Sequence, residues 1–344
     1  MEINLYSDTQ TVPSKAMYQA MLSAPVGDEQ HGRDPSVNLL CERVSDMLKA
    51  EAALFLPSGT MCNVISFLVH CDKGDEVIAH ETSHVITSEG GGLAALAGAM
   101  IRPLKGDRGH FTEKTFQDAI RSPSRYKPRS KMVVIEQTTN YAGGTIWPLE
   151  KMQLISKSAR LAGLAVHMDG ARLFNASIES GINANLYAEC CDTFWIDLTK
   201  GLGCPVGAVL LGSEAFIEEA RVWKQRLGGA MRQAGVLAGA GLFALDNNID
   251  RMIEDHENAR LLRRLLTNHP KLDTDTYYCD TNIVFFKLLT EVINASEFCK
   301  RAKDLGLLLQ ASSNYEVRAV THLNVTSNDV KKAANIILDI AQDL

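Results

Sequence analysis

From about residue 50 to residue 212, short apolar and β-branched runs alternate with segments of helical period, and this alternation limits the chain to a sheet covered by helices. The strand candidates are Ala52–Leu56, Glu76–Ala79, Met100–Leu104, Met132–Glu136, Ala165–Met168, Phe194–Leu198 and Val206–Leu211. Residues 59–71, 113–121 and 149–162 read as the helices between them. Strands joined through helices pair in parallel, whereas the last strand follows its neighbour by a Gly/Pro turn too short for a crossover and is predicted antiparallel. The fold class is therefore α/β, with a mainly parallel sheet in a large domain.

Beyond residue 213 the pattern turns helical, over 214–226, 231–246 and 249–268. It then changes to strands at Tyr277–Lys287, Leu307–Gln310 and Val317–Val320, interleaved with helices near 294–305 and 327–342. That is the signature of a small C-terminal α+β domain. The predicted organisation is an N-terminal arm, residues 1–45, packing on the large domain of residues 46–250, followed by the small domain of residues 251–344. A length of 344 residues with 46% apolar composition suits two such units.

The net charge of −6 leaves no clustered basic footprint for nucleic acid. No run reaches the ~20 apolar residues that span a bilayer, and the start MEINLYSDTQ lacks the basic and apolar regions of a signal peptide. The eight cysteines include no CxxC pair and read as reduced thiols. A soluble, cytoplasmic protein with a small-molecule ligand is expected, and neither nucleic acid nor membrane is expected as a partner.

Ligands of parallel α/β sheets bind at the carboxyl ends of strands. "VHMDGARLFN" ends one apolar strand with Asp169, and "WIDLTKGLG" ends the next with Lys200, so both side chains can face one crevice. An amine and a carboxylate so placed match pyridoxal phosphate, which forms a Schiff base with a lysine and sets its pyridine nitrogen against an acid. A structural salt bridge or a solvent-facing lysine at a strand end satisfies the same spacing. In "LPSGTMCN", residues 56–63, a strand enters a helix through Ser-Gly-Thr, which offers free amides and hydroxyls to a phosphate. Many strand-to-helix turns share that composition without a ligand. His80-Glu81-Thr82-Ser83-His84 spells the H-E-x-x-H zinc pattern, but it directly follows the strand "DEVIA" and reads as a strand end and loop, so no metal is expected.

Over nearly its whole length the chain resembles the threonine aldolases, β-eliminating lyases among the fold type I pyridoxal phosphate enzymes. The likeness runs through "SDTQTVPSKAM", "VGDEQHGRDPSVN", "EAALFLPSGTMCN", "HMDGARLFNASIESG", "DLTKGLGCPVGAVLLG", "LGGAMRQAGVLAGAGLFAL", "DHENARLL" and "VRAVTHLNV". The resemblance implies that Lys200 carries the cofactor, Asp169 meets its pyridine nitrogen, Gly59 and Thr60 hold its phosphate, and His84 stacks on its ring. Arg232 would reach the phosphate region from a partner subunit, in a homodimer or homotetramer whose site lies at the interface. Ser7, Arg172 and Arg318 would grip the substrate carboxylate, a task suited to a forked guanidinium.

The chain departs from the family in three places. "QHGRDP" puts His31 where a tyrosine is usual and Arg33 in place of an acid, and Tyr6 precedes "SDT" where an arginine is usual. "EQTTN" puts Thr139 where many members place a histidine near the substrate hydroxyl. Threonine cannot act as a base, though it can position a water, and His31 is a candidate substitute alongside His84. The implied activity is cleavage of a β-hydroxy-α-amino acid, L-threonine or L-allo-threonine, to glycine and acetaldehyde. Because the bond aligned with the ring π-system is the one that breaks, an alanine-type racemase on the same scaffold is the alternative.

Overall fold

The computed structural model describes residues 2–276 and 278–343. Its large sheet has seven strands: β2 (Ala52–Leu56), β3 (Glu76–His80), β4 (Met100–Leu104), β5 (Ser130–Glu136), β6 (Ala165–Gly170), β7 (Thr193–Asp197) and β8 (Ala208–Gly212), in the order β2-β8-β7-β6-β5-β3-β4. The pairs β4/β3, β3/β5, β5/β6 and β6/β7 are parallel. β8 runs antiparallel to both β7 and β2, as the short 198–207 turn requires. β3, β5, β6, β7 and β8 are buried almost throughout, because helices cover both faces, whereas the edge strand β4 is partly exposed. Side chains alternate between the two covering layers. In β2, Phe55 joins the core beneath one layer with Ile135 and Ile196, while Leu54 and Leu56 join Ile65, Trp195 and Phe216 beneath the other.

The crossover from β3 leads outward to the edge strand β4, and the next returns to β5 on the opposite side of β3. Thereafter the order proceeds one way through β6 and β7. A cleft opens at the carboxyl tips of β2, β3, β5, β6 and β7, the place where such sheets bind ligands.

A second sheet, β12-β13-β10-β9, holds β9 (Leu272–Asp273), β10 (Ile283–Leu288), β12 (Gln310–Ala311) and β13 (Glu316–Val320) in antiparallel pairing. The helices Ala295–Asp304 and Ser327–Gln342 flank it, and Phe286, Phe298, Val317 and Ile337 form its core. The strand expected at Tyr277–Lys287 begins later, at Ile283; Tyr277 itself lies outside the described residues. The helix Met252–Leu266 joins the units, with Met252 in the large core and Leu262 and Leu266 in the small one.

The N-terminal segment divides between the two units. α1 (Lys15–Ser23), capped by Ser14, and α2 (Pro35–Leu48), capped by Asp34 with Pro35 in its first turn, pack on the large unit, where Val37, Leu40, Val44 and Leu48 enter the core. The first residues depart from the expected arm. β1 (Ile3–Asn4) pairs in parallel with β11 (Leu307–Leu308), Leu5 sits in the small core, and the Val320 amide donates to the Leu5 carbonyl. Leu5, an apolar residue in a short segment, finds its burial there.

Candidate active site

The cleft encloses about 450 Å³. Asp169 and Lys200 both line it, the first near the tip of β6 and the second just past the tip of the paired strand β7. After Asp197 the chain enters a 3₁₀ turn, Lys200–Leu202, closed by Gly203 in the left-handed region. Lys200 is itself left-handed, with φ 51°, a conformation uncommon outside glycine. The Thr11 hydroxyl donates to its carbonyl at 3.0 Å. The Lys200 Nζ lies 2.8 Å from Asp197 Oδ2, while Asp197 Oδ1 accepts from the amide and hydroxyl of Thr199. A turn so fixed aims the amine into the cleft.

Asp169 is buried. Its Oδ1 accepts from the Ala171 amide at 3.2 Å and its Oδ2 from Asn63 Nδ2 at 2.9 Å. The same Asn63 amide donates to Glu89 Oε1 at 2.7 Å, and Asn63 Oδ1 accepts from Trp195 Nε1 and His167 Nε2. All four bonds fix the orientation of the Asn63 amide. Glu89 Oε1 also meets His84 Nδ1 at 2.8 Å. Burial alone would lower the His84 pKa; the Glu89 hydrogen bond and the nearby Asp169 carry it above its ordinary value instead. Ligand atoms of His84, Glu89 and Asp169 come within 4.8 Å of one another, and the Asn63 amide donates to both carboxylates.

α3 (Gly59–His70) begins at the cleft wall. Ser58 Oγ caps the Met61 amide and the Ser58 carbonyl takes the Cys62 amide, so helix geometry leaves the amides of Gly59 and Thr60 without a carbonyl partner. Position 59 has no room for a side chain: a Cβ there would lie 2.0 Å from the Trp195 ring. The helix start is thereby pressed against the residue above which the Lys200 amine stands, 5.7 Å from the ring centroid.

Ser7, Arg172 and Arg318 also line the cleft. Arg172 is buried, and its Nε and Nη2 each donate to Asp8 at 2.7 Å. Asn282 Nδ2 adds a third donor to Asp8 at 3.0 Å. Arg318, on β13, is also buried, but its donors go to the neutral acceptors Gln310 Oε1 and Asn140 Oδ1, and its Nε has no partner. Burial and the neighbouring Arg172 lower its pKa to about 10. It is a buried cation whose hydrogen bonds reach no anion.

Three expected residues sit elsewhere. Thr139 does not line the cleft; its Oγ1 lies 2.6 Å from Thr145 Oγ1, which turns the side chain into the buried region beside Gly109. Asn140, the next residue, faces the cleft instead. His31 is exposed on the Glu29–His31 turn, where Nδ1 meets Asp28 Oδ2 at 2.8 Å, and Arg232 extends beside the same aspartate at 3.8 Å. Neither lines the cleft. The two histidines of the H-E-x-x-H string occupy different elements: His80 ends β3 with its ring nitrogens on Thr82 and the Gly106 carbonyl, while His84 opens α4 (His84–Thr87). They do not share a helical face as the zinc motif requires.

Sequence reasoning missed Glu136, Asn140, Glu89, Asn63 and Asp8. For Glu136 a signal existed, since "MVVIE" ends an apolar strand in an acid just as "VHMD" does. The two are register partners in the sheet.

The Beta-eliminating lyase family model matches residues 4–288. The low specificity L-threonine aldolase of Escherichia coli K12 is 38% identical over 333 residues, covering 96% of this chain and 97% of that protein. Low-specificity L-threonine aldolase 1 of Arabidopsis thaliana is 37% identical, covering 95% and 93%. Among solved structures, Leishmania major threonine aldolase superposes with a TM-score of 0.84 at 18% identity over 98% of this chain and 99% of that one, and Sphingomonas wittichii serine palmitoyltransferase with 0.79 at 17% over 99% and 88%. Those likenesses show a shared fold, that of the fold type I enzymes. With the family model spanning most of its length and relatives above 30% identity over nearly all of it, the chain belongs to the beta-eliminating lyase family, alongside the threonine aldolases.

Proposed function

We propose that this protein is a pyridoxal phosphate-dependent lyase that cleaves a β-hydroxy-α-amino acid, L-threonine or L-allo-threonine, to glycine and acetaldehyde. Arg318 carries this reading. A buried guanidinium with neutral partners only, in the same cleft as a lysine amine and a buried carboxylate, is a seat for a substrate carboxylate. The residues also suit the cofactor: Lys200 would hold it through its amine, Asp169 would meet the ring nitrogen, the free amides of Gly59 and Thr60 would take the phosphate, and His84 would cover the ring. When bound, pyridoxal phosphate supplies an electron sink for bonds to the substrate Cα.

The chain's own groups do the rest. Arg318, with Ser7 and the Asp8-held Arg172, orients the amino acid so that its Cα–Cβ bond is the one aligned for breaking. His84, steadied by Glu89, takes the proton from the β-hydroxyl. The Lys200 amine or a water returns a proton to Cα of the glycine. Thr139, turned away from the cleft, has no part in this scheme. His31 and Arg232, exposed together, would act only in the cleft of a partner subunit in a homodimer or homotetramer.

The relatives quoted above are named aldolases, which favours carbon–carbon cleavage over racemisation. Incubating the purified protein with pyridoxal phosphate and L-threonine, and separately with L-alanine in deuterated water, tests the reading. Aldehyde release from threonine is expected; racemisation of alanine without aldehyde would overturn it.

A further inference from the structure

Once Thr139 and His31 are set aside, Glu136 is the cleft's unexplained acid. It closes β5, is buried to 5% exposure, and lines the cleft beside its register partner Asp169. The two carboxylates are unequally served. Asp169 accepts from a side-chain amide and a backbone amide, whereas among the described residues Glu136 has a single donor, the Asn140 amide on Oε1 at 3.2 Å, and none on Oε2. Among the described residues no lysine or arginine forms an ion pair with it.

We infer that Glu136 stands in the cleft wall as a neutral carboxylic acid whose Oε2 hydroxyl donates a hydrogen bond to an oxygen of the bound cofactor. Two buried carboxyls on paired strand tips resist ionising together, and the proton stays on the one with fewer donors. The groups facing Glu136 agree with this. Burial raises its pKa most, Asp169 on β6 raises it further, and His84 on α4 with Arg172 beyond β6 only partly oppose them, leaving it at about 8. Glu136 is thus a positioning residue: it supplies a donor where Asp169, beside it, supplies an acceptor. Two carboxyl groups on adjoining strand tips thereby present opposite hydrogen-bonding characters to one ligand.

This inference rests on the cofactor part of the reading above but not on the reaction catalysed, and its test separates the two. Infrared difference spectra between wild type and Glu136→Gln, taken on the cofactor-free protein at neutral pH, should show a protonated-carboxyl band present only in wild type. Binding of pyridoxine 5′-phosphate, which cannot form a Schiff base with Lys200, is then measured by calorimetry below and above pH 8. Wild type should lose affinity across that pH beyond any loss seen in Glu136→Gln, whose amide keeps a donor and cannot ionise. Glu136→Ala should bind roughly three- to tenfold more weakly than Glu136→Gln at neutral pH, the worth of one neutral hydrogen bond. Identical infrared spectra, or the same pH dependence in wild type and Glu136→Gln, would overturn the inference. Failure to release aldehyde from threonine, with these signals intact, would count against the reaction and leave Glu136 as assigned.

Discussion

Asp8 and Arg172, 164 residues apart in sequence, meet through two N–H···O bonds of 2.7 Å inside the protein. Burial alone would raise the Asp8 carboxyl, but Arg172, then Lys200 and Arg318, hold it well below the usual carboxylate range. A depressed native pKa contributes stability that is complete above the ordinary value of 3.8 and drains away as pH falls below it. Replacing Asp8 with Asn leaves a buried guanidinium without its counter-charge, which costs about 3–5 kcal/mol. Urea titrations should show that loss near neutrality and a flatter stability profile on the acid side. Equal stability of the variant and wild type at pH 7 would contradict this account.

Lys200→Ala removes the amine while its turn is still held by Thr11 and Gly203. Circular dichroism should be unchanged, the yellow colour developed with pyridoxal phosphate should disappear, and turnover should fall by at least about 10³-fold. A variant that stayed yellow and active would show that another amine does the work.

Arg318→Lys keeps a charge and gives up the fork, whereas Arg318→Ala also leaves Gln310 and Asn140 without their donor. A charge-assisted hydrogen bond is worth roughly 1.5–3 kcal/mol, so the alanine variant should raise KM for threonine about ten- to a hundredfold. The lysine variant should fall between it and wild type. An unchanged KM in both would place the substrate carboxylate elsewhere.

Glu89→Gln removes the anion that keeps the His84 proton in place. Burial, which already works against the imidazolium, would then prevail, so His84 should release its proton more readily. The acid limb of kcat/KM should move to lower pH. A limb that does not move would remove His84 from the proton transfer.

Much of this arrangement was legible in the sequence because it depends on local pattern. The apolar run before Asp169, the one before Lys200 and the glycine turn after it suffice to place both side chains at neighbouring strand tips. Thr139 was misjudged because its direction depends on a contact with Thr145 across a loop, which no periodicity encodes. The Asp8–Arg172 pair and the Asn63 amide join segments more than a hundred residues apart, so they emerge only once the chain is folded. β1 escaped notice for the same reason, since two residues carry no period and their partner strand is equally short.

That short strand also bears on how the molecule is assembled. The backbone of Ile3 and Asn4 pairs with Leu307 and Leu308, and the Leu5 carbonyl accepts from the Val320 amide. That pairing therefore waits on segments about 300 residues away, and the part of the cleft wall bearing Ser7 takes shape only after those strands have been made. Closing so long a loop is slow, so catalytic competence on refolding should trail the recovery of helix and sheet.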